Sequence, residues 1–264
     1  MFGWSRARRR KQLMAQPVPA HWDGYLDDNV ALARGLAPAM RQELLARVSA
    51  FIGETSWEGC GGLELTEEMQ VTIAAQACLL TLGRADDLFT DVDTILVYPS
   101  TLVRPPRPLG LFEQPRTPVG HGMTVIGEAV LRGPVVLAWD AVLAGGRGLA
   151  PGNVVLHELA HKLDMATGQI DGTPPLPGRA ARARWAEVCT RVYDLHRARV
   201  DAGWPTAMDA YGATNEAEFF AVATETYFLR PLALAWEHPD LYRLLADFYR
   251  LELPPAPGAP APIG

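Results

Sequence analysis

The chain has 264 residues, 48% of them hydrophobic and 20% charged, with 24 Lys+Arg against 30 Asp+Glu and a net charge of −6. This is the composition of an ordinary globular protein, and it excludes collagen-like, coiled-coil and wholly disordered chains. Five basic residues (Arg6, Arg8, Arg9, Arg10 and Lys11) fall in the first eleven positions, so the rest of the chain is more acidic still. Such a body repels phosphate backbones, and no direct nucleic-acid partner is expected.

Residues 1–20 read as a flexible basic arm, a single domain spans 21–252, and the Pro- and Ala-rich residues 253–264 read as a disordered tail. The basic run is not followed by the apolar stretch of a secretion signal. No apolar run reaches the roughly 18 residues of a membrane span, so neither a membrane partner nor an address other than the cytoplasm is expected. Between 26 and 53, Leu26, Val30, Leu32, Leu36, Leu44, Leu45, Val48 and Phe51 recur at helical spacing. Thr66 is placed to cap a helix that runs to Gly83. Residues 92–99 and 134–139 read as strands, 123–128 as a weaker third, and the Pro- and Arg-rich stretch 99–118 as an extended loop. Helices are predicted over 153–165, 179–202, 214–229 and 239–251. Helices, a small sheet and then more helices predict an α+β fold. The three cysteines, Cys60, Cys78 and Cys189, lie far apart and form no C-x-x-C pair, so neither a disulfide framework nor a cysteine zinc knuckle is suggested.

The sharpest signal is His157-Glu158-Leu159-Ala160-His161, within the apolar run Val154-Val155-Leu156 to Ala160. Two histidines four apart share one helix face and can direct both imidazoles at one tetrahedral metal, and imidazole nitrogen suits Zn²⁺. Glu158, one position round the helix, stands beside the metal, where it can take a proton from water and return it to a leaving amine. Two unpartnered histidines in an apolar segment would be costly, which favours a metal over a plain core helix.

A catalytic zinc needs a third protein ligand. Asp164 shares the helix face but lies about 4.5 Å further along the axis than His161, which suits an orienting carboxylate better than a ligand. Asp171, in the Gly-rich loop that follows, suits a turn. Downstream, Asn215-Glu216-Ala217-Glu218-Phe219-Phe220-Ala221 offers two carboxylates in the first turn of a second helix. Glu216 directly follows an Asn, as the ligand of thermolysin-like enzymes does. Glu218 stands three after Asn215, the spacing of a capping box. Glu225, two turns after Glu218, fits either support of the site or a solvated charge. His21, His196 and His238 read as surface residues.

Together, His157-Glu158-Leu159-Ala160-His161-Lys162-Leu163-Asp164 and Asn215-Glu216-Ala217-Glu218-Phe219-Phe220-Ala221-Val222 resemble the Mlc titration factor A family. These are cytoplasmic bacterial zinc peptidases related in their active-site region to anthrax lethal factor. The likeness extends to the Gly133–Trp139 strand and Trp57-Glu58-Gly59. It implies a zincin-like fold, with one Zn²⁺ held by His157, His161 and Glu218, Glu158 as general base, and Tyr211 as the phenol that supports the oxyanion. It further implies that His121, upstream in Gly120-His121-Gly122, can occupy the remaining metal position in a latent form. Lethal factor carries an acidic residue where this chain has Val222. The activity so implied is hydrolysis of peptides, as an aminopeptidase or short-peptide peptidase. The resemblance also implies a regulatory role in glucose uptake, through binding of the transcriptional repressor Mlc. A monomer is expected.

Overall fold

The computed structural model describes residues 2–85, 88–100, 102–103, 124–125, 127–129, 133–251 and 253. His121, most of the 99–118 loop and nearly all of the 253–264 tail lie outside the described residues.

In chain order the elements are α1 (Phe2–Met14), α2 (Trp22–Asn29), α3 (Pro38–Glu54), β1 (Ser56–Gly59), α4 (Glu67–Leu79), β2 (Thr94–Tyr98), β3 (Leu102–Val103), β4 (Thr124–Val125), β5 (Gly127–Ala129) and β6 (Val135–Ala138). Then follow α5 (Trp139–Gly146), α6 (Val154–Met165), α7 (Gly178–Asp201), α8 (Glu216–Leu229), α9 (Pro231–Glu237) and α10 (Pro239–Tyr249), with a 3-10 turn over Ala210–Ala213. The helical run expected over 26–53 is interrupted. Pro38 has no N–H to continue a helix and instead starts α3 from its first turn. Thr66 caps α4 as its position predicts, accepting from Met69 N at 3.2 Å.

The main sheet has the order β1-β2-β6-β5. The first three strands are parallel, with Trp57 beside Ile95 and Ile95 beside Val135. β5 runs antiparallel along the outer edge of β6, and β3 and β4 form a separate antiparallel pair. Ile95, Val97, Val135 and Leu137 are buried, so alternate residues of the central strands face one core. α6 lies against that sheet and against α4, α5 and above all α8. A small sheet in a mostly helical body agrees with the expected α+β class. No helix among the described residues is long and apolar enough to cross a membrane.

The basic N-terminus is not the flexible arm its composition predicts. It folds as α1 and packs on α3. Arg10 pairs with Glu54 at 2.8 Å, Arg9 donates to the Gly53 carbonyl at 2.9 Å, and the Leu13 methyls cover Gly53. The arginines thus meet acceptors at the C-terminal end of α3, where the helix dipole favours cations.

Candidate metal centre

α6 begins where Asn153 accepts a hydrogen bond from Leu156 N at 3.0 Å. The cap is itself fixed from the core: Asn153 Nδ2 donates to Gln76 Oε1 of α4 at 2.7 Å. The first two turns then carry His157, Glu158 and His161, and both histidines meet Glu218 of α8. The Nε2 atoms of His157 and His161 stand 3.2 Å apart, and Glu218 Oε2 lies 3.1 Å from the first and 3.3 Å from the second. Among the described residues this is the group of histidine, cysteine and acidic side chains that could hold a metal ion.

Between the two candidate carboxylates, the fold brings Glu218 to the histidines and leaves Glu216 exposed. The capping function of Asn215 is also real, because Asn215 Oδ1 accepts from Glu218 N at 2.9 Å. The cap uses the backbone of Glu218 and leaves its side chain for the site. Glu225 supports the site rather than facing solvent: Oε1 meets His157 Nδ1 at 2.7 Å, and Oε2 accepts from Asn153 N at 2.5 Å. A carboxylate on Nδ1 holds that nitrogen's proton and leaves the Nε2 lone pair to face the cluster.

The donor set fits a metal cation. Burial opposes charge on His157, but Glu218 and Glu225 outweigh it and hold the imidazolium up to about 10. Burial likewise opposes the Glu218 carboxylate, yet hydrogen bonds from His157 and His161 hold it down at about 2. Three carboxylates, those of Glu158, Glu218 and Glu225, crowd two imidazoles. A divalent cation would balance that excess in place of protons.

Glu158 is buried, and its charge acts on both His157 and Tyr211. Tyr211 sits on the Ala210–Ala213 turn and is 54% exposed. Its ring lies 6.0 Å from the His157 ring, and its hydroxyl donates to Glu218 Oε1 at 3.3 Å. Burial of the phenol and the nearby Glu218 charge push its pKa up to about 12, so near neutrality it is a hydrogen-bond donor.

Asp164 does not orient the histidines. It is fully buried and accepts from Thr173 N at 2.8 Å and Asp171 N at 3.4 Å, anchoring the loop after α6. Asp171 makes the turn expected of it, accepting from Thr173 N at 3.1 Å. His21 is exposed, as expected, beside Glu67. His196 and His238 are corrections, since their exposures are 0% and 4%. His196 lies on the narrow inner stripe of α7 with Trp185, Val188 and Val192, a spacing that its arginine-rich surroundings conceal. Sequence reasoning missed Asn153 and Gln76 altogether. The Asn directly before the apolar run was the available signal for the first of them.

The profile of the glucose-regulated metallo-peptidase M90 family matches residues 4–250. An uncharacterized protein of Synechocystis sp. is 36% identical over 248 residues, covering 92% of this chain and 88% of that protein. A Mlc titration factor A of Serratia proteamaculans is 31% identical over 244 residues, covering 88% of this chain and 87% of its own. That of Klebsiella pneumoniae is 30% identical over 257 residues, covering 91% and 84%. Matched over nearly its whole length, and with two imidazoles and a carboxylate converging on one point, the chain belongs to the glucose-regulated metallo-peptidase M90 family.

Proposed function

We propose that the chain is a zinc-dependent peptidase of zincin-like architecture, acting in the cytoplasm on short peptides or on chain ends as an aminopeptidase. The observation that carries this reading is the convergence of His157, His161 and Glu218 with Glu158 beside them and the Tyr211 hydroxyl at Glu218. His157, His161 and Glu218 would hold one Zn²⁺, which when bound polarises a peptide carbonyl and acidifies water. Two histidines and a glutamate are a catalytic zinc set, leaving a position open to substrate.

The residues divide the remaining work. Glu158 accepts a proton from the attacking water and delivers it to the departing amine nitrogen. Tyr211, protonated near neutrality, turns its hydroxyl from Glu218 to the oxygen on which negative charge develops. Glu225 keeps His157 in the tautomer and orientation that the site needs. His121 is proposed, on resemblance alone, to close the remaining position in a resting form.

Glu158→Gln should lower kcat on a peptide substrate by roughly 10²–10⁴-fold while zinc per chain, measured by elemental analysis, is unchanged. Undiminished turnover would overturn the assignment. A second reading follows from the relatives named Mlc titration factor A: the chain binds a transcriptional repressor of the Mlc type and withdraws it from its operators. Capture of purified repressor should then be equal for the native chain, the Glu158→Gln variant and the zinc-stripped protein.

A further inference from the structure

Tyr211 is more than half exposed, so its own packing does little to place it. Its position comes from the turn that carries it, and that turn is held from beneath. Asp209 starts the turn, with Oδ1 accepting from Tyr211 N at 2.9 Å and its carbonyl from Gly212 N at 3.0 Å. The same carbonyl accepts a second hydrogen bond, from His196 Nε2 at 3.1 Å. His196 reaches it from α7 and is fully buried, and its Nδ1 has no hydrogen-bond partner.

Gly212 is what lets the imidazole approach so closely. A Cβ there would stand 3.2 Å from Val222 of α8 and 3.4 Å from His196 Nε2. The segment leading into the turn is fixed at a second point, where Ala207 N donates to Glu237 Oε2 at 2.8 Å. The other oxygen of Glu237 lies 2.6 Å from Arg199 Nη1 and 3.2 Å from His238 Nε2, both of them contacts off the line of a hydrogen bond. Three elements therefore meet under a turn whose outer face carries one exposed phenol.

We propose that His196 is a positioning residue: its Nε2–H, donated to the Asp209 carbonyl, holds the turn that aims the Tyr211 hydroxyl at the metal site. A buried histidine that only filled space could be an apolar residue, without the cost of an unpaired ring nitrogen. This geometry requires the neutral ring, since a proton on Nδ1 would be buried with no acceptor. The charged and titratable groups facing His196 are Arg199 on α7, Asp209 on the turn, and Glu237 and His238 at the end of α9; Val222 on α8 brings no charge. Burial and Arg199 lower its pKa against the opposing pull of Asp209 and Glu237.

The inference rests on the reading of Tyr211 as the oxyanion donor, and the experiment separates the two. His196→Leu removes the donor, and His196→Gln supplies an amide N–H in place of Nε2–H. Each is made alone and with Tyr211→Phe, with zinc per chain and circular dichroism measured throughout. His196→Leu should lower kcat on the order of 10- to 100-fold with little change in KM or zinc content. His196→Gln should recover most of that loss. His196→Leu should cost nothing further once Tyr211 is Phe, because its effect passes through the phenol.

A Leu variant with unchanged kcat, or one whose loss simply adds to that of Tyr211→Phe, overturns the proposal. An unchanged kcat for Tyr211→Phe alone instead overturns the reading of Tyr211. A readout independent of turnover is the ring carbon signal of Tyr211 in ¹³C-tyrosine-labelled protein, identified among the seven tyrosines by its loss in Tyr211→Phe. It should move toward that of a free tyrosine in the Leu variant and stay in place in the Gln variant. A signal unmoved by the Leu variant also overturns the proposal.

Discussion

Glu225 of α8 shows how one side chain can hold a neighbouring helix at two points. One oxygen holds His157 Nδ1 and the other the N–H of Asn153, the residue that caps the same helix. If the proposed zinc site holds, Glu225→Ala should weaken its metal binding about 10–100-fold, read by competition with a metal indicator, because His157 loses the partner that fixes its ring. Its spacing from Glu218 was legible in the sequence, but its target was not, since Asn153 comes within reach only through the packing of α6 on α8. His196 brings a pH dependence of stability. Burial holds its pKa below the ordinary 6.5, so between the two values the unfolded chain binds a proton that the native chain does not. Its contribution is complete above that ordinary value and is lost as the pH falls through the folded one. The native protein should therefore lose more stability between about pH 7 and about pH 5 than His196→Gln does, measured by denaturant unfolding at both.

At the scale of elements, α6 depends on a close approach behind it. Gly146 at the end of α5 leaves no room for a Cβ against the Asn29 carbonyl, and Gln76 Nε2 would stand 2.8 Å from one. Gln76 is the residue that holds the Asn153 cap. Gly146→Ala should destabilise the protein by roughly 1–3 kcal/mol in denaturant unfolding, and the displaced Gln76 should loosen the start of α6. Several long elements were legible from local signals: α4 from Thr66, α6 from its paired histidines in an apolar run, and α8 from Asn215 and the carboxylates that follow it. β1, α5 and α9 were not. Each is short and shows little periodicity of its own, and their form follows from neighbours distant in sequence. The break before α3 was written in Pro38, but the hydrophobic spacing on either side of it ran on as though continuous.

For the whole molecule, α1 is the plainest disagreement between composition and structure. A run of arginines looks like a solvated arm until carbonyl and carboxylate acceptors from α3 are placed beside it. Removing residues 1–14 should lower Tm by several degrees, at roughly 2–4 °C per kcal/mol for a chain of this size. A freely solvated arm would leave Tm unchanged, and a thermal unfolding scan of the two chains decides between them. The acidic body and the α+β class could be read from counting and pattern alone. How α6 and α8 meet could not, because it is set by contacts between segments separated by the whole of α7.

That separation has a consequence for the order in which the protein is made. Tyr211, Glu218 and Glu225 all follow α7, whereas His157, Glu158 and His161 precede it. On a ribosome the histidine helix emerges first and waits, without its third donor, its supporting carboxylate or its phenol, until α8 follows. If the site cuts peptide bonds, it cannot do so from a polypeptide that has not yet reached α8. A growing chain, and the other nascent chains around it, are spared until α8 has emerged.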